Sequence, residues 1–401
     1  MFTVATSQPD LRSCIGVVSD FPEEKWPSMD LVADMLLHKL GDRHGSSFHV
    51  ERLCPPFTRR FTRLPLVGAG KLAYTADRSL NRFFKYPQWL EARRQCFQLF
   101  HVVDHSYGHL VHHLPSDRTV VTCHDLDAFR CLMDKDPSAR SVVLRTLARR
   151  ILGGMRLAAH IFCDSRATRD ELVGRGWVRT ERVSVINIGV HPACSPAPNP
   201  AADAEAERLL TNMRDHVKIL HVGSTIPRKR IDVLVRVFAD LKRGFPNIAL
   251  VRVGGPFTPS QQALVRDLGL QDSVVVLPFL TRPVLAAVYR KAALLVLPSE
   301  REGFGLPAVE AMACGTPVVL SNIPVLREVG GDAALYAPVA DVRAFADAAR
   351  TLLREAGEHS PGWQRRRYEC VSQGEKFSWS HYVDQTAAVY RELLSQRGGE
   401  C

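Results

Sequence analysis

Two periodicities alternate along this chain. Short runs are apolar at nearly every position, as in Ile248–Val253 (IALVRV) and Leu294–Leu297 (LLVL). Longer segments between them repeat apolar residues every three or four positions. The first pattern predicts strands buried on both faces, and the second predicts helices that bury one stripe. In the C-terminal half the expected strands are 216–222, 248–253, 273–277, 294–297 and 317–321. A helix is expected from Pro227, where Ile231, Leu234, Phe238 and Leu241 form a stripe that Gly244 and Pro246 stop. Further helices are expected over 259–268, from Thr281 and Pro283, and from Pro307 to Gly315.

The N-terminal half repeats the theme less regularly, with strands expected at 13–19, 48–53, 99–103, 119–123 and 160–163 and a helix at 29–40. Strands alternating with helices of this length imply an α/β architecture with parallel, doubly wound sheets. Such sheets bind ligands beyond the carboxyl ends of their strands. Gly223, Gly254 and the loop before Pro307 are therefore expected along one edge. A chain of 401 residues suits two domains. The expected division is an N-terminal domain over 1–195, a Pro/Ala-rich linker over 196–212 (within CSPAPNPAADAEAE) and a C-terminal domain over 213–375. A terminal helix over 376–401 carries Phe377, Trp379, Tyr382 and Tyr390.

Composition changes this picture little: 46% hydrophobic and 23% charged residues describe an ordinary globular protein. The formal charge of +10 changes it more, because it favours partners that carry phosphate. No aromatic–basic pattern of a nucleic-acid binder is present, so nucleic acid is not an expected partner. The ten cysteines include no Cys-x-x-Cys pair, which argues against a zinc site and for reduced thiols. The start MFTVATSQPDLRSC does not read as a signal peptide, and no stretch approaches the ~20 apolar residues that span a bilayer. A cytoplasmic location follows as the expectation.

The strongest chemical signal is Glu302-Gly303-Phe304-Gly305-Leu306-Pro307-Ala308-Val309-Glu310. A glycine-rich loop here feeds a helix with Pro near its first position, and amides at such a start can meet an anion. Glu302 and Glu310 flank it. Carboxylates repel phosphate but accept hydrogen bonds from sugar hydroxyls. The plainer alternative is a helix start whose acidic residues complement the dipole.

The spacing of these glutamates in EGFGLPAVEAMACGTPVV resembles the donor-binding motif of glycosyltransferase family 4, a group of retaining GT-B enzymes. The resemblance continues through Lys229 in PRKR, Val253-Gly254-Gly255, LAAVYRKAALLVLPS and IPVLREVGGDAALY, and covers nearly all of 213–340. It implies a GT-B fold, two Rossmann-like domains facing each other across a cleft, with the acceptor side N-terminal and the nucleotide sugar bound C-terminally. It further implies that Glu302 contacts the donor hexose and that Glu310 holds the ribose. The amides of Phe304, Gly305 and Leu306, with Gly303 and Gly223 nearby, would meet sugar and diphosphate. Lys229, beside Arg228, would neutralise the departing diphosphate in place of a metal, unless the pair is simply a solvated basic turn. No metal or other cofactor is expected, the nucleotide sugar being a substrate. The terminal helix would cross back to the N-domain.

Departures from the family pattern are equally specific. Ser224 stands where relatives usually carry arginine, so either Arg228 takes that role or the diphosphate is held less tightly. Pro278 replaces a common glycine just before the base-binding backbone near Leu280. Ser28 and Met29 occupy the place of adjacent glycines in the first strand–helix connection, and Gly16 comes too early to substitute.

In the N-terminal half, TVVTCHDLDAF ends a strand in His124-Asp125, which resembles a family His-Asp facing the donor sugar. His124 is therefore the candidate for the reaction centre, while Asp125 has a turn-capping alternative. Ser165 resembles a family serine but equally reads as a helix N-cap. Histidines 101, 105, 109 and 113 recur every four residues. Because His101 falls in an expected strand, Asp104, His105 and Tyr107 read better as an acceptor-side lining than as metal ligands. Arg140, Arg145, Arg149, Arg150 and Arg156 surround leucines at helical spacing, giving either a face for an anionic membrane or a solvated helix face.

The expected activity is transfer of a hexose from a nucleoside-diphosphate sugar to an acceptor hydroxyl with retention. The acceptor would be a glycan or lipid-linked molecule of surface-polysaccharide or glycoconjugate synthesis. A nucleotide-sugar epimerase on the same fold, or a non-catalytic basic protein, are the alternatives.

Overall fold

The computed structural model describes residues 12–64, 70–133, 142–358 and 361–398. Two compact units divide the chain: one holds the residues up to Ile188 together with those from Trp379, and the other holds Gly189–Ser378.

The first unit is built on six parallel strands: β1 (Ser13–Val18), β2 (Phe48–Leu53), β3 (Leu99–Val102), β4 (Thr119–Cys123), β5 (His160–Cys163) and β6 (Val183–Val185). Their order is β2-β1-β3-β4-β5-β6, so the topology reverses between β1 and β3. Central strands β3 and β4 are buried at every position, as their unbroken apolar character requires. Helix α1 (Pro27–His44) is longer than the apolar stripe predicts, opening with Pro at its first turn.

Helices α2 (Lys71–Leu80) and α3 (Tyr86–Glu91) are joined by a π-helical turn over Asn81–Lys85 and escape the sequence reading altogether. They hold the preceding loop through Asp77, which accepts hydrogen bonds from the amides of Arg60, Phe61 and Thr62, each at 2.9 Å. Burial pushes the Asp77 carboxyl up, but the Thr62 hydroxyl and these amides hold it down at about 2.

Helices α4 (Arg130–Met133), α5 (Val142–Leu157) and α6 (Arg166–Gly174) complete this part of the chain. A Cβ on Gly154 of α5 would lie 1.9 Å from the Gly108 carbonyl oxygen, so only glycine lets α5 approach the segment His105–His113.

The second unit also contains six parallel strands: β7 (Val217–Val222), β8 (Ile248–Val253), β9 (Val274–Leu277), β10 (Leu294–Leu297), β11 (Val318–Ser321) and β12 (Leu335–Ala337). Read from β9, the order is β9-β8-β7-β10-β11-β12, with its switch point between β7 and β10. Its helices are α7 (Pro200–Leu209), α8 (Ile231–Gly244), α9 (Pro259–Asp267), α10 (Arg282–Lys291), α11 (Leu306–Ala313), α12 (Pro324–Gly330), α13 (Val342–Glu358) and α14 (Pro361–Gly374). Helix α8 buries Ile231, Leu234, Phe238 and Leu241 on the predicted stripe, each contributing about 1.5–3 kcal/mol of transfer free energy.

The stretch read as a linker over 196–212 is largely helix. Asn199 caps α7 through the Ala202 amide, and Pro200 opens it. Asp203 pairs with Arg290 of α10 at 2.7 Å, which holds α7 on the second unit.

The last helix, α15 (Trp379–Gly398), belongs to the first unit. It packs on α1, where Asp384 pairs with Arg43 at 2.7 Å and His44 at 2.9 Å. Buried Tyr390 reaches His101 of β3, its hydroxyl 2.6 Å from Nδ1.

Candidate functional site

In the second unit the chemistry gathers at the carboxyl end of the sheet, beside the switch point. Beyond β7 the chain passes Gly223 and Ser224 into a short turn over Pro227–Lys229 before α8 begins. Beyond β10 it passes Ser299 to Glu302 and enters α11. The Glu300 amide donates to the Arg228 carbonyl at 2.8 Å, which ties the two loops together.

Lys229 and Glu302 are thereby brought face to face. Lys229 Nζ lies 2.6 Å from Glu302 Oε1 and 2.9 Å from Oε2. Arg228 Nη1 adds a contact of 3.2 Å to Oε2 and donates to the Arg301 carbonyl at 2.8 Å. Burial pushes the Glu302 carboxyl up, but Lys229 and Arg228 outweigh it and leave it below the usual range.

Gly305 caps α11 with φ of 95°, a left-handed conformation suited to glycine. A Cβ there would also meet Leu326 Cδ2 at 2.7 Å. Phe304 is buried against Phe377 in an edge-on pair at 5.5 Å. Gly303 and Leu306 are half-buried around it.

Glu310 sits one turn into α11 and is 2% exposed. Arg282 Nη1 donates to its Oε1 and the Tyr289 hydroxyl donates to its Oε2, both at 3.0 Å. Burial pushes the Glu310 carboxyl above its ordinary range, against Arg282 and Tyr289. Both partners come from α10, in the stretch RPVLAAVY. Tyr289 lies within the run LAAVYRKAALLVLPS that resembles the family, Arg282 lies three residues before it, and neither is singled out by the motif. Their spacing of seven residues on one helix, which brings them to one face, is the signal that could have found them. Leu280, in the loop between β9 and α10, is half-buried.

In the first unit the switch point between β1 and β3 carries a separate polar network. His124 follows β4 and is fully engaged: Nδ1 lies 2.5 Å from Asp164 Oδ2, and Nε2 lies 2.7 Å from the Val103 carbonyl oxygen. Two acceptors require both ring nitrogens to carry protons. Burial disfavours that charge, but Asp164 overrides it and the ring is raised to about 9. A hexose contact from this ring would require Nε2 to leave Val103.

Asp104 accepts from the Ser106 amide at 2.7 Å and the Ser106 hydroxyl at 2.6 Å. Burial pushes its carboxyl up, and the neighbouring His105 and His124 bring it well below its usual range. Asp20, just past β1, is buried beside it and pushed strongly upward by burial and by Asp104. His105 Nδ1 accepts the His124 amide at 3.3 Å. The Tyr107 hydroxyl donates to Glu24 at 2.8 Å, with the Arg82 guanidinium 4.0 Å above its ring.

Asp125 accepts the Asp127 amide at 3.0 Å, which caps the following turn. Ser165 is the N-cap of α6, accepting the Thr168 amide at 3.2 Å. Ser28 lies in the first turn of α1, half-exposed.

The four spaced histidines diverge. His101 bonds Tyr390 and Thr122, His105 bonds the His124 amide, His109 bonds the Arg82 carbonyl and His113 faces Arg150. A 3-10 helix turns every three residues, so spacing by four does not align these side chains. Of the basic run, Arg140 lies outside the described residues.

Comparison with known proteins settles the family. Residues 206–369 match the glycosyl transferases group 1 family, and residues 40–193 match Glycosyltransferase Family 4. The chain belongs to the group 1, family 4 glycosyltransferases.

Among relatives of this chain, D-inositol 3-phosphate glycosyltransferase of Kineococcus radiotolerans is 32% identical over 277 residues, covering 63% of this chain and 62% of the relative. The chain thus spans less than two thirds of that relative. The serotype-specific mannosyltransferase WbdA of Escherichia coli is 30% identical over 70% of this chain and 35% of its own length. Two similar solved structures are sucrose-phosphate synthase from Thermosynechococcus elongatus and Anabaena HepE in complex with UDP and glucose. The first has a TM-score of 0.73 and 21% identity, covering 96% of this chain and 100% of its own. HepE has a TM-score of 0.70 and 16% identity, covering 95% and 100%. The fold is GT-B, two α/β units with parallel six-stranded sheets.

Proposed function

We propose that this protein transfers a hexose from a nucleoside-diphosphate sugar to an acceptor hydroxyl with retention of anomeric configuration and without a metal ion. The observation that carries this reading is the buried Lys229–Glu302 pair beside the start of α11, with Glu310 on that same helix. An ammonium has three N–H donors, and two are directed at Glu302. The third remains for an oxygen of the departing diphosphate. Arg228 adds a second cation to the group. Charge developing on the leaving group is then met by fixed cations and by amides of Phe304 to Leu306. Glu302 and Glu310 offer acceptors for hydroxyls of the hexose and the ribose. Retention follows if the leaving diphosphate takes the acceptor proton on the face it vacates.

The acceptor in this reading is a glycan or lipid-linked molecule; one relative's name adds an inositol phosphate to the acceptors to try, and the complex of HepE with UDP and glucose makes a UDP-sugar the first donor. A surface-polysaccharide or glycoconjugate role fits this reading. So does a cytoplasmic location with α5 resting on an anionic membrane, since Val142, Val143 and Leu144 are exposed next to Arg145 and Arg149. No helix among the described residues is long and apolar enough to cross a membrane.

A thermal-shift screen against UDP, GDP, ADP and dTDP sugars without metal, repeated with Glu310→Ala, tests the proposal. Stabilisation by one nucleotide, abolished by the substitution, is expected. Epimerised donor in place of a glycosylated product would reassign the protein as an epimerase. No shift with any donor would overturn the enzyme reading.

A further inference from the structure

Arg252 is a charged residue inside an otherwise apolar strand, and it is fully buried. Its guanidinium reaches no carboxylate among the described residues. Instead it collects carbonyls from two loops: Nη2 donates to Gly223 O at 2.9 Å and Gly254 O at 3.4 Å, and Nη1 donates to Gly255 O. Burial lowers its pKa only to about 10, so it remains a cation at neutral pH.

The consequence for the backbone is geometric. In a trans peptide the C=O and the following N–H point in opposite directions, and the described chain has no cis bonds. With the Gly223 and Gly254 carbonyls turned toward Arg252, the Ser224 and Gly255 amides are turned away from it. Neither amide donates to any acceptor among the described residues. Both residues are half-buried, and Pro256 next in line has no N–H to compete. The loops touch: a Cβ on Gly254 would lie 2.3 Å from Gly223 O, and Gly254 has φ of 122°. Two touching loops therefore each turn an unspent amide away from Arg252 at the carboxyl end of the sheet, and backbone N–H groups presented in this way can bind an anion.

A second observation points to a ligand. His221 pairs in register with Arg252 on the neighbouring strand, is fully buried, and neither ring nitrogen has a partner. Its Cε1 lies 3.5 Å from a Cβ placed on Gly223, and Lys229 Cε lies 3.7 Å from the same point, so these two side chains converge beside this glycine. Burial, with Arg252 and Lys229, keeps this imidazole uncharged. Glu302 offsets Lys229, but no carboxylate among the described residues pairs with Arg252, and a buried cation without a counter-charge is costly.

We propose that the Ser224 and Gly255 amides, oriented by Arg252, form a phosphoryl-binding nest for the diphosphate of the donor, with Arg252 as its positioning residue. This rests on the nucleotide-sugar reading for the identity of the ligand, and it supplies the positive charge that Ser224 lacks.

The test is titration of the full chain with inorganic pyrophosphate, which presents the phosphoryl chemistry without a base or sugar. In wild-type protein labelled with 15N at serine and glycine, pyrophosphate and the nucleoside diphosphate selected by the thermal screen are expected to shift the Ser224 and Gly255 amides. Unmoved amides in the presence of bound ligand would overturn the proposal. Calorimetry on Arg252→Met is expected to show pyrophosphate affinity reduced about tenfold or more. Arg252→Lys keeps the charge but cannot hold three carbonyls in one plane, and a loss of similar size is expected. Full affinity in both variants, folded by circular dichroism, would equally overturn it. In turnover, the Arg252→Lys loss should fall on KM for the donor more than on kcat. If pyrophosphate moves these amides but no glycosylated product forms from any donor, the nest stands and the transferase reading falls. Transfer without any response of these amides fails the nest alone.

Discussion

Lys229 Nζ contacts both carboxylate oxygens of Glu302, at 2.6 and 2.9 Å, in a site where the two side chains are 10% and 5% exposed. Such a pair couples stability to function. Lys229→Ala leaves a buried carboxylate with Arg228 as its remaining partner, and an expected cost of about 3 kcal/mol follows. Turnover should fall by about 10²–10³ if the lysine meets charge on the leaving group. The double variant Lys229→Met/Glu302→Met removes both charges and is expected to recover most of the stability while staying inactive. Urea unfolding beside a transfer assay checks this. Recovery of activity together with stability would show that the pair is only structural.

Tyr289 and Arg282 divide the carboxylate of Glu310 between them, one oxygen each. Their role is to fix the rotamer of a group proposed to accept two ribose hydroxyls. Tyr289→Phe removes one hydrogen bond and should weaken nucleotide binding about fivefold, equivalent to about 1 kcal/mol. Glu310→Ala should weaken it far more, because both hydroxyl contacts go at once. Calorimetric titration with the preferred nucleoside diphosphate measures both. Equal affinity in Tyr289→Phe and wild type would mean that Arg282 alone orients the carboxylate.

The second unit was the more legible half, for physical reasons. Its strands are uniformly apolar and its helices carry clean stripes, so the expected strand 248–253 matches β8 residue for residue. The loop from Glu302 to Glu310 announces itself through local chemistry. Arg252 did not, because a lone charge in an apolar strand reads as noise until its three carbonyl partners are known. The pairing of His124 with Asp164 spans 40 residues and depends on β4 lying beside β5, which no local pattern encodes. Residues 200–209 form α7 where their Pro/Ala-rich composition alone predicts a linker. Asn199 followed by Pro200 and an Ala/Glu-rich run is instead a helix start with strong helix formers.

His124 makes stability depend on pH, with a sign that can be worked out. Its ring titrates at about 9 in the folded protein, against an ordinary 6.5. Because the folded value is raised, the contribution is complete below pH 6.5 and is lost as pH rises through about 9. The loss amounts to about 3 kcal/mol over that window. Urea unfolding at pH 6, 7.5 and 9 should show the decline, and His124→Gln should flatten it. An unchanged slope in the variant would place the titration elsewhere.

Exposed apolar side chains at the start of α5 sit among arginines. Val142 is 77% and Val143 is 65% exposed, with Arg145 and Arg149 on the same helix. Vesicles containing phosphatidylglycerol are expected to sediment the protein, and neutral phosphatidylcholine vesicles are not, since each arginine near an anionic surface contributes about 1 kcal/mol. Val142→Asp with Val143→Asp should abolish sedimentation while leaving transfer to a soluble acceptor unchanged. Equal sedimentation of the double variant would remove α5 from the contact.

Tyr390 carries a prediction about how a distant segment is kept in place. Its hydroxyl and Thr122 occupy the two ring nitrogens of His101, at 2.6 and 2.7 Å, inside the first unit. Burial lowers the His101 pKa to about 3, so the ring is neutral and has one donor and one acceptor to satisfy. Tyr390→Phe keeps the ring packed but leaves Nδ1 with no partner in a fully buried site, at an expected cost of about 1–3 kcal/mol. Asp384→Asn removes the charge facing Arg43 and His44 at a half-exposed position, and its cost should be under about 1 kcal/mol. Hydrogen exchange of α15 amides separates the two, because only the Tyr390 variant should loosen the whole helix. Comparable protection in both variants would assign the attachment to apolar packing by Tyr382, Val383 and Ala387 rather than to this hydrogen bond.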